Sequence, residues 1–512
     1  MTAISTFETG FRRLQNGNDV RGAAIATEKE PLTLTPQLAA WIAKAFARFL
    51  AETTGKPENA LKIGLGHDSR ITAAALMQAS ALGLSESRVF DCGLITTPAM
   101  FQSVILPESD FDGSIMITAS HLPFNRNGLK FFTKQGAISH GDLDRILDIA
   151  IELARPFAGE ALPFPEDPGS EPQPFDLQGL YSAHMKQIIC DSVRAADYAH
   201  PLAGLHIVVD SGNGASGFFA TDILEALGAD ISGSQFLDPD GHFPNHIPNP
   251  ENETAMLSIR EAVLAAKADL GVIFDCDGDR GAVVFADGTE VNRNTLIALL
   301  SAIVAETVPG SWVVTDSVTS DELADFLEND LHLHHLRYRR GYKNVIDRGI
   351  QLNEEGSPCE LAIETSGHGA FRENHFSDDG AYIAVKIICR MARMKAEGGR
   401  IEDLIRDLKQ PAEAREVRFS ILTDDFAAYG QQVLADFTGF CKAEPAFHIV
   451  EPNYEGVRIS FDLDGVRGWV LVRMSLHDPV LPVNLESSTV GGCDKVWARL
   501  MPFWNRYDKL QA

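Results

Sequence analysis

The stretch LKIGLGHDSR, residues 61–70, decides the fold: an apolar run of strand length ends in small and acidic residues. A segment of helical period, ITAAALMQASALGL, follows it directly. Strand, polar loop and helix in that order are the signature of an α/β unit. The pattern recurs at LHIVVDSGNG (205–214), ahead of FFATDILEALGA, and at SWVVTDSVTS (311–320), ahead of DELADFLEND. Three copies of one supersecondary pattern predict three related modules.

Working outward, each module holds a second apolar run that opens into a polar loop: GSIMITASH (113–121), LGVIFDCDGDR (270–280) and LAIETSGH (361–368). Open α/β sheets take their ligands at the carboxyl ends of their strands, where such loops lie. The Pro-rich acidic stretch 155–175 reads as a linker or long loop. TPQLAAWIAKAFARFLAE reads as a helix capped by Thr35 with Pro36 at its first position. From about residue 412 the pattern changes to strands joined by turns, with a helix around DDFAAYGQQVLADF, which reads as a smaller α+β domain.

With 512 residues the chain is too long for one hydrophobic core. A formal net charge of -27 argues against nucleic-acid or anionic-membrane partners, which need a broad basic surface. It leaves room for an anionic small molecule in a local basic pocket. Seven cysteines, an odd number without a CxxC pair, argue against a disulfide framework and for a reducing cytoplasm. No run has signal-peptide or membrane-spanning character.

DCDGDR is the sharpest local signal. Asp275, Asp277 and Asp279 alternate around Gly278, and three carboxylates this close repel one another unless a cation neutralises them. Hard oxygen ligands of that number suit Mg²⁺. A calcium loop would need Gly at its sixth position and Glu at its twelfth, where this chain has Arg280 and Ala286. The bland alternative is an acidic surface turn in which Arg280 pairs locally. TASHL around Ser120 is not the G-x-S-x-G of a hydrolase elbow. Alone it reads as a hydroxyl that caps a loop; beside a metal loop it suggests phosphoryl transfer.

The chain resembles the α-D-phosphohexomutases, the phosphomannomutase/phosphoglucomutase family. The resemblance rests on NDVRG (18–22), TASHLPFNRNGLK (118–130), VVDSGNGASG (208–217), PDGHFPNHIPNP (239–250), DCDGDR (275–280), RRGYK (339–343) and ETSGH (364–368), in the family's order. It implies an α/β fold of three related mixed-sheet modules plus a smaller α+β C-terminal domain around a central cleft. The expected domains are 1–170 with the phosphoserine loop, 171–287 with the metal loop, 288–410 with the sugar loop and 411–512 with a phosphate loop. The implied activity is a Mg²⁺-dependent interconversion of hexose 1-phosphate and hexose 6-phosphate, of glucose or mannose, through a phosphoserine and a hexose 1,6-bisphosphate that also serves as activator. The implied partner is a small phosphosugar, and the oligomer a monomer or dimer.

By that resemblance Ser120 carries the phosphoryl group and, with Asp275, Asp277 and Asp279, holds Mg²⁺. Glu364 and Ser366 become sugar contacts. Lys130, His368 and Arg21 become the candidates for taking the sugar hydroxyl's proton. Lys130 comes first: Asn127-Gly128 reads as a turn swinging it towards the serine, and burial would lower its pKa. His121 shapes the loop or touches phosphate, and Arg280, Arg339, Arg340 and Lys343 neutralise phosphate.

The sequence departs from the family in two places. Where the C-terminal phosphate loop usually reads R-x-S-G/N-T-E-P, this chain has RMSLHDP (473–479). Arg473 and Ser475 remain as phosphate contacts and His477 replaces Thr as a possible donor, while Leu476 removes backbone freedom. Leu122 stands where Asn is usual. A weakened distal grip makes two alternatives concrete: a hexose 1,6-bisphosphate synthase using another phosphoryl donor, and a catalytically weak sugar-phosphate-binding relative.

Overall fold

The computed structural model describes residues 3–165, 171–475 and 478–511. Leu476 and His477 of the C-terminal phosphate loop therefore lie outside the described residues, as do residues 166–170 of the Pro-rich stretch. The chain forms two compact units. The first holds 1–292 together with 366–369 and 377–401; the second holds 293–365, 370–376 and 402–512.

In the first unit, the described residues form two sheets. The larger runs in the order Gln15–Asn16, Asp19–Ala23, Arg126–Thr133, Gly113–Ile117, Lys62–His67, Arg88–Leu94, Gln173–Pro174. Its centre is parallel and its Arg126–Thr133 side antiparallel. Gly113–Ile117 is buried along its whole length, as a strand covered on both faces must be. The helix Pro36–Thr54 begins where its cap predicts: Thr35 Oγ1 accepts from Leu38 N at 3.2 Å. That helix and His140–Ala154 supply Trp41, Phe46, Ile146 and Leu147 to the core over the sheet.

Two expectations are corrected here. The stretch 155–175 is not only a linker, because Gln173–Pro174 adds a parallel edge strand to Arg88–Leu94. Asn127-Gly128 is no turn, since both residues lie inside the strand Arg126–Thr133. The reason is close strand approach: a Cβ on Gly128 would lie 2.1 Å from the Val20 carbonyl oxygen of the neighbouring strand.

The second sheet of this unit runs Glu290–Val291, Gly281–Phe285, Leu270–Phe274, Ile207–Asp210. Leu270–Phe274 is parallel to Ile207–Asp210 and antiparallel to Gly281–Phe285, and the acidic loop 275–280 joins Leu270–Phe274 to Gly281–Phe285 as a hairpin connection. Gly278 at φ +73° gives that connection its left-handed step. The late helix Gly380–Ala396 belongs to this unit too, and Tyr181 OH donates to Asp379 Oδ1 at 2.7 Å, both groups buried.

In the second unit, His334–Arg337, Trp312–Thr315 and Cys359–Ile363 form a parallel core, with Ala370 and Phe371 of the edge strand Gly369–Phe371 at its side. The C-terminal part is a sheet in the order Phe447–Ile449, Val457–Leu463, Val466–Val472, Val480–Ser487, Glu413–Ile421, Leu510–Gln511, paired antiparallel. The expected helix spans Phe426–Ala443, and the structure adds a second, Gly492–Trp504; Phe437, Leu500, Phe503 and Trp504 from these helices pack on the sheet's apolar side chains. The architecture is thus three α/β modules followed by a sheet-rich α+β domain. The seven cysteines are free and buried. Among the described residues no helix is long and apolar enough to cross a membrane.

Candidate active site

The first unit brings Ser120, the acidic loop, Lys130, Arg280 and His368 together. Ser120 follows the strand Gly113–Ile117 and sits in the left-handed region at φ +50°, which a serine adopts only when its surroundings impose it. Its amide donates to Thr118 Oγ1 at 2.8 Å. Its hydroxyl donates to Asp275 Oδ2 at 2.8 Å and accepts from Arg280 Nη2 at 2.8 Å. The phosphoryl-carrier candidate is therefore aimed at the acidic loop across 155 residues of sequence.

The three aspartates are fully buried. Lys130, also buried, sets its ammonium 3.2 Å from Asp277 Oδ2 and hydrogen-bonds Asp279 Oδ2. Thr97 Oγ1 donates to Asp277 Oδ2 at 2.6 Å. Burial opposes ionisation of Asp277, but Lys130, Thr97, Arg21 and Arg280 together hold it below the usual carboxylate range. Burial and the charges of Asp279 and Asp277 push Asp275 well up. Arg280 and burial keep His121 neutral, its imidazole far below the ordinary histidine value.

Asp277 Oδ1 and Asp279 Oδ1 are buried without a hydrogen-bond partner. Oxygen atoms of Asp275, Asp277 and Asp279 lie within 4.8 Å of one another. Orphaned buried carboxylate oxygens are costly, and a hard divalent cation answers both the charge and the missing partners. The donor set fits such an ion.

The other predicted residues fall as follows. His368 pairs Nδ1 with Ser366 Oγ at 2.8 Å and sets Nε2 3.6 Å from Asp279 Oδ1. Arg21 donates to Asp19 Oδ2 at 2.8 Å and to the Thr118 carbonyl. In the second unit, Glu364 Oε1 accepts from Gly341 N at 2.6 Å. Arg340 Nε lies 3.9 Å from Asp316 Oδ2, and its amide donates to Glu455 Oε2 at 3.1 Å. Arg339 Nε donates to the Tyr454 carbonyl at 3.2 Å. Lys343 is taken up by Asp347 one turn along its helix at 2.6 Å. Arg473 is buried with Nε unpartnered, and Ser475 Oγ accepts from Asp478 N at 3.3 Å.

Sequence reasoning missed Asp316, which Thr365 and Arg340 face inside the second unit. Burial pushes its carboxyl up to about 7, with Glu364 and Glu455 adding to the rise against Arg340 and Thr365. A raised folded pKa favours the protonated fold, so this contribution is whole below the unfolded value near 3.9 and lost as pH rises through about 7. We expect Asp316→Asn to stabilise the second unit by about 1–3 kcal/mol at pH 8 and by much less at pH 5. Tryptophan fluorescence in urea reads this, because Trp312, Trp469, Trp497 and Trp504 lie in that unit and only Trp41 in the other. Parallel pH dependence in both proteins would refute it.

Known proteins match along most of the chain. The family descriptions "Phosphoglucomutase/phosphomannomutase, alpha/beta/alpha domain I", "domain II" and "domain III" match residues 12–154, 180–288 and 292–411. The chain is 27% identical over 473 residues to the phosphomannomutase/phosphoglucomutase of Pseudomonas syringae pv. tomato, covering 91% of this chain and 90% of that protein. It is 25% identical over 475 residues to the phosphoglucomutase of Neisseria gonorrhoeae, covering 91% and 92%. In fold it is similar to a crystal structure of a phosphoglucomutase/phosphomannomutase family protein from Burkholderia thailandensis, with TM-score 0.75, 24% identity, and coverage of 98% and 96%.

Proposed function

We propose that this chain, which belongs to the phosphoglucomutase/phosphomannomutase family of mutase enzymes, interconverts hexose 1-phosphate and hexose 6-phosphate through a phosphorylated Ser120. The observation that carries this reading is the Ser120 hydroxyl held between Asp275 and Arg280, beside Asp277 and Asp279, each of which keeps one buried carboxylate oxygen without a hydrogen-bond partner. Mg²⁺ held by Asp275, Asp277, Asp279 and the Ser120 phosphate would neutralise phosphate charge and the charge developing on the serine oxygen.

In the forward step the P–Oγ bond of phospho-Ser120 breaks as a bond forms between phosphorus and the free sugar hydroxyl oxygen. The hydroxyl proton leaves for a side-chain base, and Ser120 Oγ takes up the proton that this base then releases, so that one phosphoryl group crosses to the sugar while one proton crosses back and Oγ ends as a hydroxyl. The product is a hexose 1,6-bisphosphate; after it turns over, its other phosphate returns to Ser120 by the reverse step. Lys130, His368 and Arg21 are the groups assigned to proton and charge handling. What supports His368 as the base is that the Lys130 ammonium is ion-paired with two carboxylates and the Arg21 guanidinium is committed to Asp19 and Thr118. Arg280 steadies the transferring group. Glu364 and Ser366 are assigned to sugar hydroxyls, and Arg473, Ser475, His477 and Lys343 to the distal phosphate. The free thiols fit a reducing cytoplasm.

A coupled assay on glucose 1-phosphate and mannose 1-phosphate, with and without glucose 1,6-bisphosphate, tests the reading. Turnover that the bisphosphate activates and metal chelation abolishes is the expected result. The RMSLHDP sequence favours a second reading, a hexose 1,6-bisphosphate synthase, which predicts bisphosphate accumulation with little 6-phosphate. Binding without any turnover would sink both.

A further inference from the structure

Arg70 closes the strand-and-loop segment 61–70, and its side chain is entirely buried. A guanidinium carries five N–H donors in a rigid fork. Here the terminal nitrogens spend theirs on four carbonyls of one loop. Nη1 donates to Pro123 O at 2.9 Å and Arg126 O at 2.8 Å; Nη2 donates to Leu122 O at 2.6 Å and to Ser120 O. The fifth donor, Nε, has no hydrogen-bond partner and faces Asp68 Oδ2 at 3.4 Å.

Asp68 extends the connection. Its Oδ1 accepts from the Arg70 amide at 3.0 Å, and its Oδ2 accepts from the Cys276 thiol at 3.3 Å, between Asp275 and Asp277. The Phe243 ring covers the guanidinium, with Cζ 5.4 Å from the ring centre. A single buried fork therefore binds the serine loop on one side and, through Asp68, the acidic loop on the other. The held backbone includes the residue that needs holding, since Ser120 sits at φ +50°.

We infer that Arg70 is the positioning residue of the phosphoryl-carrier loop: by satisfying the carbonyls of residues 120, 122, 123 and 126 at once, it fixes the direction of Ser120 Oγ towards the acidic loop. It touches neither the Ser120 hydroxyl nor any acidic-loop carboxylate in the distances above, so it acts through the backbone. The inference rests on the mutase reading for its kinetic consequence and on geometry alone for its structural one. Lysine keeps the charge but has three tetrahedral donors, which cannot serve four carbonyls from one side. Leu122 contributes its backbone carbonyl to this clamp.

The test compares wild type, Arg70→Lys and Arg70→Met by steady-state kinetics on glucose 1-phosphate and by amide hydrogen exchange. With Arg70→Lys, kcat should fall about 100-fold, as a misplaced nucleophile requires, while KM moves less than about threefold. Amides of residues 119–126 should exchange at least about tenfold faster, with the remaining core strands unchanged. Arg70→Met should lose at least as much on both readouts. Unchanged exchange in 119–126, a KM effect with kcat preserved, or global unfolding of Arg70→Lys would each overturn the inference, the last by making Arg70 a core strut. If wild type itself turns over no hexose phosphate, the mutase reading fails, and the exchange arm still decides whether Arg70 holds the loop.

Discussion

Ser120→Ala is expected to lower kcat by about 10⁴-fold or more, the scale seen when a covalent nucleophile is removed. Intact-mass measurement of wild type after incubation with glucose 1,6-bisphosphate should show one phosphoryl group that the variant never acquires. Removing the hydroxyl loses the bond donated to Asp275, the bond accepted from Arg280 and the 3.3 Å contact with His121 Nδ1. Those losses cost about 1–3 kcal/mol in a buried site, so the variant should remain folded and bind hexose phosphate. The left-handed backbone at Ser120 strains alanine no less than serine, which keeps the comparison to the hydroxyl. Residual turnover within tenfold of wild type would remove Ser120 from the mechanism.

Lys130→Met should destabilise the metal-free protein by about 3–5 kcal/mol, because it strips the cation from two buried carboxylates. In wild type, Asp277 is held below its ordinary value despite burial. That contribution is present above the unfolded value near 3.9 and lost as pH falls through the lower folded value. Without Lys130, burial and mutual repulsion dominate, and both aspartates favour the protonated form. The sign then reverses: the variant loses stability as pH rises, so its deficit is larger at pH 8 than at pH 5. Added Mg²⁺ should recover part of the loss by replacing the missing positive charge. Urea unfolding followed by hydrogen exchange in the strands Leu270–Phe274 and Gly281–Phe285 measures this in chelator and in Mg²⁺. A variant as stable as wild type in chelator at pH 8 would show that Lys130 does not balance these charges.

The features legible in the sequence were those whose physics is local. Each α/β module declared itself because strand, loop and helix are contiguous, and the acidic loop because three carboxylates within five residues demand an explanation. The contributions of Arg70 and Asp68 were not legible, since each is one polar residue in a loop whose partners lie tens to hundreds of residues away. Asn127-Gly128 is the reverse case: a strong turn signal lost to tertiary pairing, because Gly128 was needed for the close approach of a neighbouring strand. Asp316 gave no signal either, its perturbation arising from burial and from Glu364, Glu455 and Arg340 brought together by folding. Glu364 and Ser366, two residues apart on one loop, fall in different compact units, a division that spacing does not reveal.

The first unit is assembled from chain on both sides of a long excursion: residues 366–369 and 377–401 return to it after residue 292. A ribosome therefore releases most of this unit well before the helix Gly380–Ala396 has been made. At ordinary translation speeds that gap lasts on the order of 10 s. Through it, Tyr181 waits for Asp379 and the acidic loop for His368, so nascent chains expose a surface that only later residues cover. Slowed elongation across 293–401 should lengthen that exposure and with it the demand for chaperones.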